Sequence, residues 1–100
     1  MTFTHNVYEI VKSIPPGKVS TYANVAEMAG SPKAVRAVGN AMKRNVDPSV
    51  IPCHRVVGSD GSMHGYAFGE GVSTKRELLM AEGVSFAGNN VDLTASRWTV

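Results

Sequence analysis

The sequence predicts a small, mostly helical α/β domain of winged-helix-like form, with a helix-turn-helix next to the turn that carries Cys53. Apolar spacing typical of amphipathic helices recurs along the chain, and a Gly-Ser-Pro break separates two of these segments. The 100 residues, 43% of them hydrophobic, suffice for one hydrophobic core. We therefore expect residues 1–100 to form a single domain.

The first two helices follow from apolar spacing and from residues that stop a helix. The spacing of apolar residues predicts a first helix between Phe3 and Ile14, which ends at Pro15-Pro16-Gly17. After a short extended piece, Ser20 or Thr21 can cap a second helix that runs toward Gly30.

The third helix completes the predicted helix-turn-helix. Gly30-Ser31-Pro32 makes the tight turn, and Pro32 is expected at the first helical position. The expected apolar face of this helix comprises Val35, Val38 and Met42. The expected outer face comprises Lys33, Arg36, Asn40 and Lys43. This pattern fits a DNA-binding helix, but a structural hairpin with a charged outer face remains the alternative.

Charge is concentrated in the middle of the chain. Residues 31–58 contain five basic residues against Asp47 alone, a net charge of +4, and the rest of the chain is net −2. A basic surface suits contact with phosphates, although a solvated helix face gives the same pattern. No segment predicts a membrane span, a secretory signal or a dimerisation element. We expect a cytoplasmic monomer with no membrane partner.

Loops and short elements are predicted after the third helix. The stretch 45–52 is irregular, 53–57 partly extended, 58–61 a turn and 62–72 a surface loop. Thr74 to Glu77 has the capping-box pattern Thr-x-x-Glu and is expected to open the last helix, which stops at Gly83. Trp98 is expected to pin the C-terminal tail to the core.

Cys53 is the single cysteine of the chain, so an internal disulfide is impossible. The histidines at 5, 54 and 64 and the carboxylates lack zinc-site spacing, so we expect no metal. A cysteine reacts as thiolate, and the neighbouring His54 and Arg55 supply a base and a positive charge. Glu82 is a possible partner of His54 in a Cys-His-Glu relay. A buried structural cysteine and an exposed carboxylate at a helix end remain the alternatives.

The run Ile51-Pro52-Cys53-His54-Arg55-Val56-Val57 resembles the active-site signature of the O6-alkylguanine-DNA alkyltransferases, also called methylated-DNA-protein-cysteine methyltransferases. The resemblance covers nearly the whole chain. It extends to the segments 16–19 and 30–39, to Tyr22, Asn45 and Tyr66, and to Leu78-Leu79 with Glu82-Gly83.

The resemblance implies a chemical role for each matching residue. Cys53 would accept the alkyl group from O6-alkylguanine in double-stranded DNA, His54 would draw the thiol proton through a water, and Glu82 would orient the imidazole. Asn45 would brace the turn that carries Cys53, and Tyr22 would hydrogen-bond the guanine and help to protonate it as it leaves. Each molecule would act once, with no metal, nucleotide or organic cofactor.

The resemblance also implies how DNA is held. Arg36 would occupy the stack vacated by the flipped nucleotide, and the helix that carries it would enter the minor groove, where Ala37 and Gly39 permit close approach. Lys33 and Lys43 belong to the expected phosphate-binding surface.

The base pocket is expected to involve Tyr22 and Tyr66, with Tyr66 closing over the base. Backbone groups at Cys53, Val56 and Ala67 would read the guanine edge. The loop after Tyr66 is about two residues longer than in many family members, which changes the pocket wall.

A binding protein without repair activity is the main alternative. The chain begins almost at the DNA-binding domain and has the size of the alkyltransferase-like proteins, which bind damaged DNA without repairing it. Those relatives typically carry tryptophan or alanine in place of the cysteine, so the presence of Cys53 favours transfer. A transcription regulator and a Cys-His hydrolase fit less well, because the chain shows no dimerisation segment and offers little room for a substrate cleft.

Overall fold

A computed structural model of the protein describes residues 2–63, 66 and 68–98. The described part contains five α-helices, one 3-10 turn and four two-residue strands. The helices are α1 (Phe3–Lys12), α2 (Tyr22–Met28), α3 (Val35–Arg44), α4 (Val72–Ala81) and α5 (Leu93–Ser96). The strands are β1 (Ser20–Thr21), β2 (Val56–Val57), β3 (Phe86–Ala87) and β4 (Asn90–Val91), and Cys53–Arg55 forms the 3-10 turn. The predicted small, mostly helical α/β fold is confirmed.

Helices α1, α2 and α3 enclose the larger hydrophobic core. Val7 and Val11 of α1, Val25 of α2 and Val38 of α3 are fully buried there. Thr21 caps α2, because its side chain accepts a hydrogen bond from the backbone N–H of Asn24. The predicted cap and the predicted pair of helices on either side of a glycine-containing turn are therefore confirmed.

The parallel pairing of β1 with β2 positions the site. Ser20 lies opposite Val56 and Thr21 opposite Val57. Since α2 begins directly after β1, this pairing brings Tyr22 next to the segment that follows Cys53. A second, smaller core joins these strands to α4 and to the antiparallel β3–β4 hairpin through Val19, Val57, Leu79, Val84 and Val91.

The start of α3 differs from the prediction. Pro32 is not at the first helical position, because residues 31–34 form a turn in which the N–H of Ala34 donates to the carbonyl of Ser31 over 2.9 Å. Proline is equally suited to the second position of such a turn, where its fixed φ also fits. The helix therefore begins at Val35, which is 38% exposed instead of lying on the apolar face, and Lys33 lies in the turn before it.

The start of α4 also differs from the prediction. The helix begins at Val72, two residues before the proposed cap and within the predicted loop. The Thr74 hydroxyl accepts a hydrogen bond from the backbone N–H of Glu70 and caps nothing, while Gly71 precedes the helix with a φ of 72°. The capping-box prediction was wrong because the chain enters the helix through a glycine in the left-handed region.

The C-terminal region agrees with the sequence in part. Gly83 ends α4 with a φ of 89°, as predicted, but α5 follows, so α4 is not the last helix. Trp98 packs against the larger hydrophobic core, and its backbone N–H donates to the carbonyl of Val19 over 2.7 Å. The predicted anchoring of the tail is confirmed.

Candidate functional site

Cys53 begins the 3-10 turn and is buried, with 4% of its surface exposed. The loop before it is held by the side chain of Asn45. Its Nδ2 donates to the carbonyl of Ile51 over 2.8 Å, and its Oδ1 accepts from the backbone N–H of Asp47 over 3.1 Å. The backbone N–H of Cys53 donates to the same Ile51 carbonyl over 2.7 Å. Asn45 thus fixes the turn that presents the thiol.

His54 and Glu82 are in direct contact. The imidazole Nε2 lies 3.0 Å from a carboxylate oxygen of Glu82, which is the residue at the C-terminal end of α4. Because a carboxylate only accepts hydrogen bonds, the proton of the neutral ring resides on Nε2. Nδ1 is buried and has no hydrogen-bond partner among the described residues, so it is available as a proton acceptor.

Arg55 holds the same carboxylate from the other side. Its Nε and Nη2 donate to the two Glu82 oxygens over 3.0 and 2.6 Å, and Nη1 donates to the carbonyl of Ile14 over 2.8 Å. Burial alone would raise the pKa of Glu82, but the hydrogen bonds from Arg55 and His54 outweigh it and keep the pKa below its usual value. Burial lowers the pKa of His54, so the imidazole is neutral at pH 7.

Tyr22 and Lys75 lie beside the segment that follows Cys53. Lys75 is 1% exposed, and its ammonium donates to the carbonyl of Val56 over 2.8 Å. The same ammonium lies 3.5 Å from the Tyr22 hydroxyl and 5.8 Å from the centre of the tyrosine ring. Burial raises the pKa of Tyr22 to about 12 and lowers that of Lys75 to about 8. Tyr22 therefore keeps its proton at pH 7, as a hydrogen-bond donor must.

The thiol lies between opposing influences. Burial raises the pKa of Cys53 above its usual value, and a hydrogen bond with Asn45 and the positive charge of Lys75 offset this only in part. The Tyr66 ring is buried near Cys53 and packs edge-on against Phe68, with 5.4 Å between the ring centres. Val56 is fully buried in β2, and Ala67 and His64 lie outside the described residues.

The helix-turn-helix presents the expected charged surface. Arg36, Asn40 and Lys43 are exposed on α3, and Ala37 and Gly39 are half-buried between them. A Cβ added at Gly39 would meet no described atom within 4 Å, so the packing of the domain itself does not require glycine there. A surface that another molecule approaches closely would require a small residue.

The sequence-predicted residues thus fall into two groups. The structure brings Tyr22, Asn45, Cys53, His54, Val56, Tyr66 and Glu82 together around the thiol, and it places Arg36, Ala37, Gly39 and Lys43 on α3, with Lys33 in the preceding turn. The sequence did not predict that Lys75 belongs to the site or that Arg55 donates hydrogen bonds to Glu82. The signal for Lys75 was its position four residues before Leu79, on the buried side of α4.

Among the described residues, no three His, Cys, Asp or Glu side chains are grouped closely enough to hold a metal ion. No described helix is long and apolar enough to cross a bilayer.

Comparison with known proteins gives a consistent result. Residues 2–84 match the family model for the DNA-binding domain of 6-O-methylguanine DNA methyltransferase. The chain is 42% identical to the DNA base-flipping protein of Escherichia coli K12 over 98 residues, which cover 97% of the chain and 74% of that protein. It is 45% identical to the constitutive methylated-DNA–protein-cysteine methyltransferase of Bacillus subtilis over 84 residues, which cover 84% of the chain and half of that enzyme.

A solved structure extends the likeness to the fold. The chain superposes on Schizosaccharomyces pombe Atl1, in a crystal structure with damaged DNA containing O6-carboxymethylguanine, with a TM-score of 0.87 and 33% identity. The superposition covers 98% of the chain and 95% of Atl1. With the family model matching most of its length, the chain belongs to the 6-O-methylguanine DNA methyltransferase family and contains the DNA-binding domain of that family.

Proposed function

We propose that the protein repairs DNA by moving an alkyl group from O6-alkylguanine onto Cys53, in one stoichiometric event per molecule. One observation carries the proposal: a single buried cysteine lies directly before a histidine whose Nε2 is held by Glu82 and whose Nδ1 has no partner among the described residues. A thiol is activated by a base that is itself held in orientation by a third group. A purely structural cysteine would not need this arrangement.

The transfer balances without a cofactor. The thiol proton passes, through a water, to Nδ1 of His54; the Sγ–carbon bond forms and the carbon–O6 bond breaks. Tyr22 donates a hydrogen bond to the departing guanine and helps to protonate it. In the net reaction, one proton moves from the thiol of Cys53 to the guanine. The products are S-alkylcysteine and unmodified guanine. Since the thioether is stable and the chain has no second thiol, the protein acts once.

The substrate is alkylated double-stranded DNA. A base within a duplex is out of reach of a buried thiol, so the nucleotide must be flipped out, at a cost of roughly a few kcal/mol. Arg36 on the exposed side of α3 would fill the gap left in the stack, and Lys33 and Lys43 would contact phosphates. Tyr66 would close over the flipped base, with Val56 and Ala67 at its edge. In this proposal the protein acts as a cytoplasmic monomer.

A second candidate function is binding of alkylated DNA without repair, which would mark the lesion for another pathway. The likeness to Atl1, whose crystal structure contains damaged DNA with O6-carboxymethylguanine, favours it. The chain spans about half the length of the methyltransferases it matches. The presence of Cys53 supports transfer, because recognition alone requires no nucleophile.

The test measures the amount of O6-methylguanine that remains in the DNA after incubation with the protein. A duplex with one O6-methylguanine is incubated with excess protein, digested to nucleosides, and separated by liquid chromatography. We expect loss of O6-methylguanine and a matching gain of guanine, limited to one lesion per protein molecule. Cys53→Ser should bind the duplex as well as the unmodified protein does and leave the lesion intact. If the unmodified protein binds the lesion and leaves it unchanged, the binding function replaces the proposed one.

A further inference from the structure

Lys75 is the largest side chain that the described core buries completely. Burial of an ammonium group is unfavourable unless nearby groups compensate it, and an apolar residue of similar volume is often tolerated equally well or better. Packing alone therefore gives no reason for lysine at this position. The surroundings of the ammonium suggest that its charge is used.

Helix α4 carries two opposite charges toward the same segment. Lys75 and Glu82 are seven residues apart, which is about two helical turns, so they lie on the same side of the helix. Glu82 contacts His54 over 3.0 Å, and Lys75 contacts the carbonyl of Val56 over 2.8 Å. Cys53 precedes both of these partners in the chain. One helix thus places an anion behind the base and a cation at the carbonyl of Val56, three residues after the thiol.

We propose that Lys75 is a positioning residue whose buried ammonium stabilises the thiolate form of Cys53. It is held at Val56 by one hydrogen bond and lies 3.5 Å from the hydroxyl of Tyr22, so its charge is fixed relative to the thiol. The proposal rests on the proposed function only in taking Cys53 as the nucleophile. It concerns the ionisation of the thiol and not the source of the alkyl group.

The mutual effects have the sign that the proposal requires. Against the effect of burial, the charge of Lys75 lowers the pKa of Cys53, and a thiolate at Cys53 raises the pKa of Lys75. The other titratable groups around the thiol are Tyr22, Tyr66, His54 and, behind the imidazole, Glu82 with Arg55. The tyrosines and the imidazole are neutral at pH 7, and Arg55 is matched by Glu82.

The first test measures Cys53 reactivity without DNA. Iodoacetamide alkylates the thiolate by forming a carbon–Sγ bond and releasing iodide, and its rate against pH reports the thiol ionisation. In Lys75→Met we expect the rate at pH 7, where Lys75 carries its charge in the unmodified protein, to fall about tenfold. Lys12→Met, which removes an exposed lysine from α1, should match the unmodified protein. Coincident profiles for a folded Lys75→Met would overturn the proposal.

The second test leaves Lys75 in place. The 13Cε chemical shift of Lys75 is titrated by NMR in the unmodified protein and in Cys53→Ser. Loss of the thiolate should lower the midpoint of Lys75, because coupling between two ionisable sites is mutual. Equal midpoints would overturn the proposal even if Lys75→Met failed to fold. Since neither test uses DNA, a failure of alkyl transfer from guanine remains distinguishable from a failure of this inference.

Discussion

The outer face of α3 and the buried cluster around Cys53 both contain charged groups, but they hold these groups in opposite ways. Arg36 and Lys43 extend into water from a helix surface. Lys75, His54 and Glu82 are wholly or largely removed from water, and specific hydrogen bonds hold them. Water screens exposed charges, whereas desolvated charges act strongly over short distances. The outer face is thus suited to adaptable contact and the cluster to fixed chemistry.

The same difference predicts how each region tolerates substitution. Loss of one exposed basic residue removes one of several similar contacts. Loss of one member of the cluster leaves a buried partner unmatched and changes its proton affinity. Large effects are therefore expected from the cluster, and graded effects from α3.

The largest effect in this comparison is expected for Glu82→Gln. The amide lacks the charge that orients the His54 imidazole and matches Arg55, so the transfer rate should fall about 100-fold, within the usual range for general-base catalysis. Single-turnover transfer from O6-methylguanine in a duplex measures it, with circular dichroism as the check on folding. Glu77→Gln, at an exposed position of α4, is the matched control. An unchanged rate in Glu82→Gln would remove Glu82 from the relay.

A smaller and more selective effect is expected for Arg36→Ala. If Arg36 fills the stack vacated by the flipped nucleotide, its loss should slow transfer from a duplex about tenfold, because flipping loses roughly 1–2 kcal/mol of compensation. Transfer from O6-methylguanine as the free base requires no flipping and should not change. Rates on both substrates are compared under single-turnover conditions. Equal losses on the two would count against the role in flipping.

Lys43→Gln should have a graded effect on binding alone. Removing one phosphate contact should weaken duplex binding a few-fold and reduce the slope of log affinity against log salt concentration by about one. Fluorescence anisotropy over a range of salt concentrations measures both quantities. Lys12→Gln on α1 is the control and should leave the slope unchanged. An equal reduction of the slope in Lys43→Gln and Lys12→Gln would contradict a specific phosphate contact at Lys43.

The smallest effect is expected from pH. Because burial lowers the pKa of His54 below its usual value near 6.5, the imidazole remains a neutral base on moving from pH 7.5 to 6.5. The transfer rate should therefore change less than about twofold in that window and fall only at lower pH, where Nδ1 becomes protonated. A rate profile at constant ionic strength tests this. An inflection at or above pH 6.5 would show that the imidazole is not held neutral by burial.

The amino-acid pattern was sufficient to predict the helix-turn-helix, whereas the contact between His54 and Glu82 was implied by the family resemblance. The helix pair is coded locally, by apolar spacing and by a glycine-containing break. The residues alone left a His54–Glu82 relay as one alternative beside an exposed carboxylate at a helix end, and the resemblance of the Cys53 motif to the alkyltransferases favoured the relay. The starts of α3 and α4 could not be predicted in the same way. Proline at position 32 suits a turn as well as a helix start, and Thr74 had a competing partner in Glu70.

Lys75 shows a different limit of sequence reasoning. A lysine between Thr74 and Arg76 in a polar run is normally expected to face water. Its burial depends on the packing of α4 against the 3-10 turn, and its partner, the carbonyl of Val56, lies 19 residues away in the chain. The spacing of Lys75 from Leu79 indicates the buried side of α4, but no local pattern encodes the contact of Lys75 with Val56.

Intact-protein mass spectrometry tests the central claim most directly. The protein is mixed with a duplex that contains one O6-methylguanine, and its mass is measured before and after, with peptide mapping of the product and Cys53→Ser as control. The account predicts a gain of one methyl group, located on Cys53 and saturating at one per chain. An unchanged mass under conditions where the protein is bound to the lesion would contradict it.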